Sequence, residues 1–539
     1  MHAAPDKLPP TFPLVVQIGF AGSRLLYAPE RLTPARMAAF DNALLPRLVE
    51  RLAELPGLLG LSPQHFLCGV SQIAVGADML FARALQGMAL PHRVLLPQAP
   101  QAFLRGGEPG DPDFTPAEQD AARELLGAPQ VIEVRVASDA DDRVEQFQDT
   151  NHEILRESDV IVCLMRAGAL ARPGGTRELL QRANRAGKPA WLIEVAMVDG
   201  QPSLSSWSAP EQRGDRPPFT PPSMPAELNG LVLPVPSAGA LPHAGDYIES
   251  VRRFASTRTR QYSGVFRRAA VAIIMLHIVA TLLAAVAGKA ELLWWVSLLL
   301  AAELVLLGLG LVTHHALHRG LALRGWAVTR LLAETLRSIK SVSATAVPLD
   351  YPLALAYPAS FRPLLRTAAV LHGLDARTMD DAGWAAQRSR YLDERLTGPR
   401  GQLHYFTEAA RTAARRLRFA HSGFWMFSAA AFAATAAKLA SVAGALPGPL
   451  APLAVSWGGL LAITLPVAAV GFLSWAAASD LEARAATYAD MRGFLAQQLE
   501  HVREADSPRD FARAVRETER GILGENLGWF SRRLFRGVS

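Results

Sequence analysis

Cysteine is nearly absent: Cys68 and Cys163 are the two in 539 residues. So low a count excludes a disulfide-stapled scaffold and any zinc-type ligand spacing. Each sits in a strand-like apolar run, FLCGV and VIVCLM, which predicts two buried thiols; a single bridge between them is the alternative. Charge is sparse as well, at 19% Asp, Glu, Lys and Arg with a net +6. The surplus arginines gather beside long apolar segments, a pattern that favours a membrane over nucleic acid as partner. The opening residues MHAAPDKLPPTFPLVV lack both a basic region ahead of an apolar run and a small-residue cleavage site. No secretory signal is expected there, and residues 1–195 are expected to stay where they are made.

What is present in quantity is apolar length. Ala269–Gly288 is apolar for about 20 residues, enough to cross a bilayer as a helix. After the connector Lys289–Glu291, Leu292–Thr313 supplies a second span. Two further spans are expected at Gly423–Val442 and Leu450–Ala477. Lys438 weakens the third, although its charge can snorkel. Short connectors make the four spans two helical hairpins. Four buried helices of a soluble protein are the alternative, but such helices seldom run this long without a polar face.

Arg252, Arg253, Arg258, Arg260, Arg267 and Arg268 precede the first span, and Arg319, Arg324 and Arg330 follow the second. Arg411, Arg415, Arg416 and Arg418 precede the third, and Arg484 and Arg492 follow the fourth. The positive-inside rule then predicts a multi-pass inner-membrane protein with both termini cytoplasmic. Glu303 lies mid-span, where a carboxylate facing lipid costs about 2.5 kcal/mol or more. It is expected to face protein or water, either paired with His277 as a staple or lining a membrane pathway. One chain's two hairpins enclose little space, so a pathway implies a homo-oligomer. The hairpin exits Trp326–Arg330 and Tyr488–Arg492 suggest a repeat. A mixed stretch with prolines at 348, 352, 358 and 363 separates the two units.

Ahead of the membrane part, apolar strands alternate with helices. Strands are predicted at Leu14–Ile18 and within HFLCGV, HRVLLP, VIEVRV, DVIVCLMR and AWLIEV. The expected fold class is an α/β Rossmann-like parallel sheet followed by an all-α membrane domain with four transmembrane helices. Three loops would gather at the carboxyl ends of the strands. The first offers Gly19, Gly22 and Ser23 for close backbone approach and Arg24 for a phosphate. The second carries Gly76 and Asp78, the latter a ribose acceptor or a helix cap. The third is Pro173-Gly174-Gly175-Thr176 with Glu178 after it. Together they predict a phosphate-bearing ligand, with no catalytic or metal site and no further cofactor.

Residues 14–195 resemble the SLOG superfamily of DNA-processing protein A and Lonely Guy groups. The similarity rests on IGFAGSR (18–24), SQIAVGAD (71–78) and FQDTNHEILRESDVIVCL (147–164), with Asn151 at the family's asparagine. PGGTRE (173–178) resembles a phosphoribohydrolase signature, but has one glycine fewer and its acid two residues after the threonine. The resemblance implies a site for an ADP-ribose-like or other nucleotide. Residues 245–530 are similar to the two-helix SLATT membrane effectors, present twice. Tyr391–Arg395, Gln402, Tyr405-Phe406, Glu525 and Trp529 carry the second copy. Such pairs imply a bacterial antiviral or conflict system in which a sensor triggers membrane damage. Alternatives are a membrane-tethered nucleotide N-glycosidase using Glu178, and a transporter or scaffold with a degenerate α/β domain. The expected boundaries are 1–198 for the nucleotide-binding domain, 199–243 for a Pro-rich linker, and 244–385 and 386–539 for the two hairpin units.

Overall fold

The computed structural model describes residues 13–535 except 109–110, 171, 209–218, 226–227, 229–240, 289–292, 320, 344, 346, 351, 353–354, 356, 377–382 and 446–449. The connector Lys289–Glu291 and much of the Pro-rich linker thus lie outside the described residues. The chain forms two compact units. One holds the chain up to Tyr247 plus residues 356–378, and the other holds 248–355 and 379–539.

In the first unit, strands and helices alternate as β1 (Leu14–Gly22), α1 (Pro34–Leu58), β2 (His65–Ser71), α2 (Ala77–Gly87), β3 (His92–Leu96) and α3 (Pro100–Leu104). A small hairpin follows, β4 (Gly107–Glu108) and β5 (Asp111–Pro112), then α4 (Pro116–Leu126), β6 (Val131–Val136) and α5 (Arg143–Glu157). The run ends with β7 (Val160–Arg166), α6 (Thr176–Arg185), β8 (Ala190–Val198) and β9 (Gln201–Leu204). The main sheet has the order β6-β3-β2-β1-β7-β8-β9. Every pairing in it is parallel except that of β9 with β8.

The central strands are apolar without alternation because both faces are covered. On one face Val16, Ile18 and Phe20 meet Leu44 and Leu48 of α1 and Phe81 of α2. On the other, Ala21, Val70 and Cys163 meet Ile154 of α5 and Leu179 of α6. Cys68 and Cys163 are both free and buried, and burial pushes each thiol up to about 12.

Two features depart from the expected outline. Asp199 and Gly200 both have positive φ, 51° and 75°, so they form the hairpin turn into β9 where a linker was expected to begin. The second is α10 (Arg362–Ala376), which belongs to this unit although it follows the first hairpin in sequence. Val370 of α10 packs on Val15 and Cys68. Thr367 Oγ1 accepts the Val15 N–H at 2.9 Å, and Arg366 pairs with Asp159 at 2.6 Å.

The second unit is helical: α7 (Ala244–Ala287, from Ile248 on), α8 (Leu293–Arg319), α9 (Leu321–Val342), α11 (Trp384–Arg390), α12 (Gln402–Val442), α13 (Leu450–Ala478), α14 (Leu481–Glu504) and α15 (Pro508–Phe535). A π-helical turn, Tyr391–Thr397, follows α11. Helices α7, α8, α12 and α13 carry stretches long and apolar enough to cross a membrane. Their side chains face outward: Leu304 is 73% exposed, Val305 68% and Phe432 79%. Apolar surface this continuous has lipid as its solvent, and the chain is a membrane protein. At 44 and 41 residues, α7 and α12 measure about 66 and 62 Å. An apolar core about 30 Å thick leaves roughly half of each outside it.

The second hairpin closes through small residues. A side chain at Gly423 would meet the Phe472 ring, and one at Gly458 would meet the stem of Lys438. Helices approach closely where such residues face each other, and the aliphatic stem of Lys438 is thereby packed within the hairpin.

Candidate functional site

Chain order reverses across β1. The chain builds outward through β2, β3 and β6, then crosses to place β7 on the other side. Such a switch point opens a crevice at the carboxyl ends of β1 and β7. Gly22, Ser23, Arg166 and the β2–α2 loop converge there. Ser23 N–H donates to Leu164 O at 2.9 Å, and Ala77 N–H to Ser23 O at 3.2 Å. Arg166 N–H donates to Ser23 Oγ at 3.3 Å.

The expected residues divide by what they touch. Gly19 is not in the loop at all. It lies inside β1 opposite Val70 and Ile161, and a Cβ there would stand 2.3 Å from Ser158 Oγ. Its glycine serves packing, which removes it from the open-amide set. Gly76, at φ 93°, faces the Ser23 and Arg24 carbonyls so closely that a Cβ would lie 2.4 Å from Arg24 O. Arg24 donates to the Asp113 carboxylate at 2.5 Å and to the Asp113 main-chain O at 2.6 Å, and Arg143 joins the carboxylate at 2.6 Å.

Asp78 is buried and accepts the Gly22 N–H at 3.0 Å, which ties the first loop to the second. Burial lifts its carboxyl from 3.8 to about 7, against backbone hydrogen bonds from Ala74 and Gly22 that favour the ion. The folded state therefore holds a proton that the unfolded chain releases near 3.8. This contribution to stability is complete below that value and is lost as pH rises to about 7. Asp78→Asn keeps the acceptor without the titration. Its melting temperature relative to wild type is expected to rise from pH 4 to pH 7 and level off above; a difference constant over that range would contradict the shift.

The third loop is equally tied. Asn151 Nδ2 donates to Gly174 O at 2.7 Å and its Oδ1 accepts from Gln72 at 3.4 Å. Gly174 has φ 71°, and its N–H donates to Glu178 at 2.6 Å. Arg182 pairs with Glu178 at 2.5 Å. Burial raises the Glu178 carboxyl, but the Gly174 N–H and Arg182 outweigh it and hold it below the usual range. So placed, Glu178 braces the glycine loop and is a weak base. Gly175 precedes α6, and Thr176 opens its first turn, where unpaired backbone N–H groups favour an anion.

Two polar side chains absent from the sequence expectation stand at these strand ends with an atom unsatisfied. Gln72 Oε1 and Arg166 Nε are buried with no hydrogen-bond partner among the described residues. Gln72 stands in SQIAVGAD and Arg166 ends VIVCLMR, but nothing in either pattern says that the side chain turns inward. Among the described residues no group of three His, Cys, Asp or Glu could hold a metal ion.

In the membrane part, the expected pair is not formed. His277 Nδ1 bonds Ile273 O at 2.8 Å, and its ring lies against Gly310, where a Cβ would be 3.1 Å away. Gly310 is two turns beyond Glu303, and no hydrogen bond or ion pair joins Glu303 to His277 among the described residues. Next to the hairpins, Glu519 accepts from Tyr391 at 2.8 Å and from Arg395 at 2.7 and 2.6 Å, all buried. The Arg330 guanidinium lies 3.9 Å above the Trp529 ring.

Residues 391–529 match the family model described as SMODS and SLOG-associating 2TM effector domain 1. The second hairpin is thus similar to a two-helix membrane effector, as its diffuse motifs suggested. The sheet and the first hairpin lie outside the matched residues. No curated protein and no solved structure matches the chain.

Proposed function

We propose that this chain is a nucleotide-sensing membrane effector of a bacterial conflict or antiviral system. An ADP-ribose-like or other phosphate-bearing nucleotide enters the crevice at the β1/β7 switch point, and the four spans of a homo-oligomer then open a pathway or disrupt the bilayer. The observation that carries this reading is the joining, in one chain, of a segment similar to a two-helix effector to a sheet whose switch-point strand ends carry Gln72 Oε1 and Arg166 Nε, buried and without a partner among the described residues. Phosphate sits against Arg166 and the start of α6, because the Gly22 and Ser23 amides are already bonded to Asp78 and Leu164. Glu178, held by Gly174 and Arg182, keeps the third loop in place. The spans lie in the inner membrane with both termini cytoplasmic, because basic residues flank the outer ends of each hairpin.

The test is dye release from liposomes holding the full chain, with ADP-ribose and NAD as added ligands and product analysis alongside. Arg166→Ala is expected to remove ligand-dependent release and to weaken binding by about 1–3 kcal/mol, the range for a charge-assisted hydrogen bond. Glu303→Gln is expected to keep binding and abundance while altering release. Release that ignores ligand, or a Glu303→Gln protein with wild-type release and its pH dependence, refutes the respective part. Turnover of the ligand by the wild type, lost in Glu178→Gln, favours the N-glycosidase instead.

A further inference from the structure

Helices α7 and α9 of the helical unit run beside each other outside the apolar spans. A cavity of about 380 Å³ is lined there by Arg252, Ser256, Thr259, Arg260, Arg330, Ala333, Glu334 and Arg337. That volume falls in the range of small-molecule sites. Four of these side chains are cationic and one is anionic, so the local charge decides the ligand.

The arginines are not equivalent. Arg252 is paired with Glu249, at 2.8 and 2.7 Å, and Arg253 and Lys340 share that carboxylate at 2.6 and 2.8 Å. Arg337 is bidentate to Glu334, at 3.0 and 2.8 Å. Arg260 and Arg330 make no ion pair among the described residues. Arg330 is fixed from one side by the Trp529 ring, which leaves its edge donors for a ligand. Glu525 is also near, but burial raises its carboxyl toward the neutral form despite Arg330. Ser256 Oγ is buried with no hydrogen-bond partner among the described residues. Uncompensated guanidinium groups and an unfilled hydroxyl in one cavity are what a phosphate group satisfies.

We propose that this cavity binds a small anion carrying two or more phosphates. The lining of α7 begins nine residues before Ala269 and extends to seventeen, or about 14 to 26 Å along the helix from the apolar span. Lipid headgroups occupy only about 5–8 Å beyond the hydrocarbon on each side. The ligand therefore comes from solution rather than from a bilayer headgroup. It touches the same helix that forms the first span, and the site is separate from the α/β crevice.

Inorganic tripolyphosphate titrated into the full chain in phosphatidylcholine nanodiscs tests this. Arg260→Gln and Arg330→Gln are each expected to weaken binding about tenfold, and Arg260→Lys to restore most of it. Arg166→Ala, in the crevice, is expected to leave this binding unchanged. Competition from phosphatidylglycerol that Arg260→Gln relieves would keep the site but make a headgroup the source. Unchanged affinity in both arginine variants, or a loss caused by Arg166→Ala alone, overturns the proposal and places the anion in the crevice.

Discussion

Glu519→Ala is expected to cost the helical unit about 3–5 kcal/mol, the usual penalty for stranding a buried charge. Glu519 is fully buried and Arg395 is 6% exposed on its side chain. Without the carboxylate, the guanidinium and the Tyr391 hydroxyl lose a partner that water cannot replace. The π-helical turn sets this geometry by bringing Tyr391 and Arg395 to one carboxylate. Thermal melts of the full chain in detergent give the readout. Arg395→Met combined with Glu519→Leu should recover most of the loss, because two apolar groups leave no orphaned charge. A Glu519→Ala protein that melts with the wild type would mean that the network does not hold the unit.

Gly22→Ala is expected to destabilise the α/β unit by about 1–3 kcal/mol, as overpacking does, and to abolish nucleotide binding. A Cβ at this position would stand 2.0 Å from Ala77 Cβ and 3.1 Å from Leu164 O. Either α2 moves away from β1 or the Gly22–Asp78 hydrogen bond breaks, and the crevice changes shape in both cases. Gly22→Asp should behave alike. A charge in the phosphate site would have singled out the aspartate alone, so equal losses identify packing as the cause. Binding by Gly22→Ala at wild-type affinity, measured with labelled ADP-ribose on the full chain, would contradict this.

Apolar length made most of the architecture legible. The buried strands read as unbroken apolar runs, and the four spans as runs too long and too uniform for a soluble core. The limits came where a residue type has two physical uses. Gly19 and Gly22 look alike in sequence, yet one relieves contact with Ser158 inside a strand and the other lets α2 approach. Asp78, Asn151 and Glu178 are polar residues near glycine loops, and each is occupied in tying those loops together. Their spacing marks the place of the crevice but not which side chains remain open in it; Gln72 and Arg166 emerged only from the packing. The Asp199-Gly200 hairpin signal was in the sequence, masked by the prolines that follow. The segment around α10 had one local cue, Pro363 in its first turn. Its destination is set by contacts with residues some 350 positions earlier, which no local pattern encodes.

Helix α10 also bears on how the protein is made. The last strand of the sheet ends at Leu204, while the helix that covers Val15 and Cys68 ends at Ala376, beyond both helices of the first hairpin. At ordinary rates of protein synthesis that interval takes on the order of 10–30 s. During it the sheet has emerged from the ribosome with one patch bare, and the first two spans must reach the lipid. The α/β unit can thus be completed only after both helices of the first hairpin have been made. Until then the bare strand surface is open to chaperones and proteases, so a chain cut short within the first hairpin is left with an unfinished α/β unit.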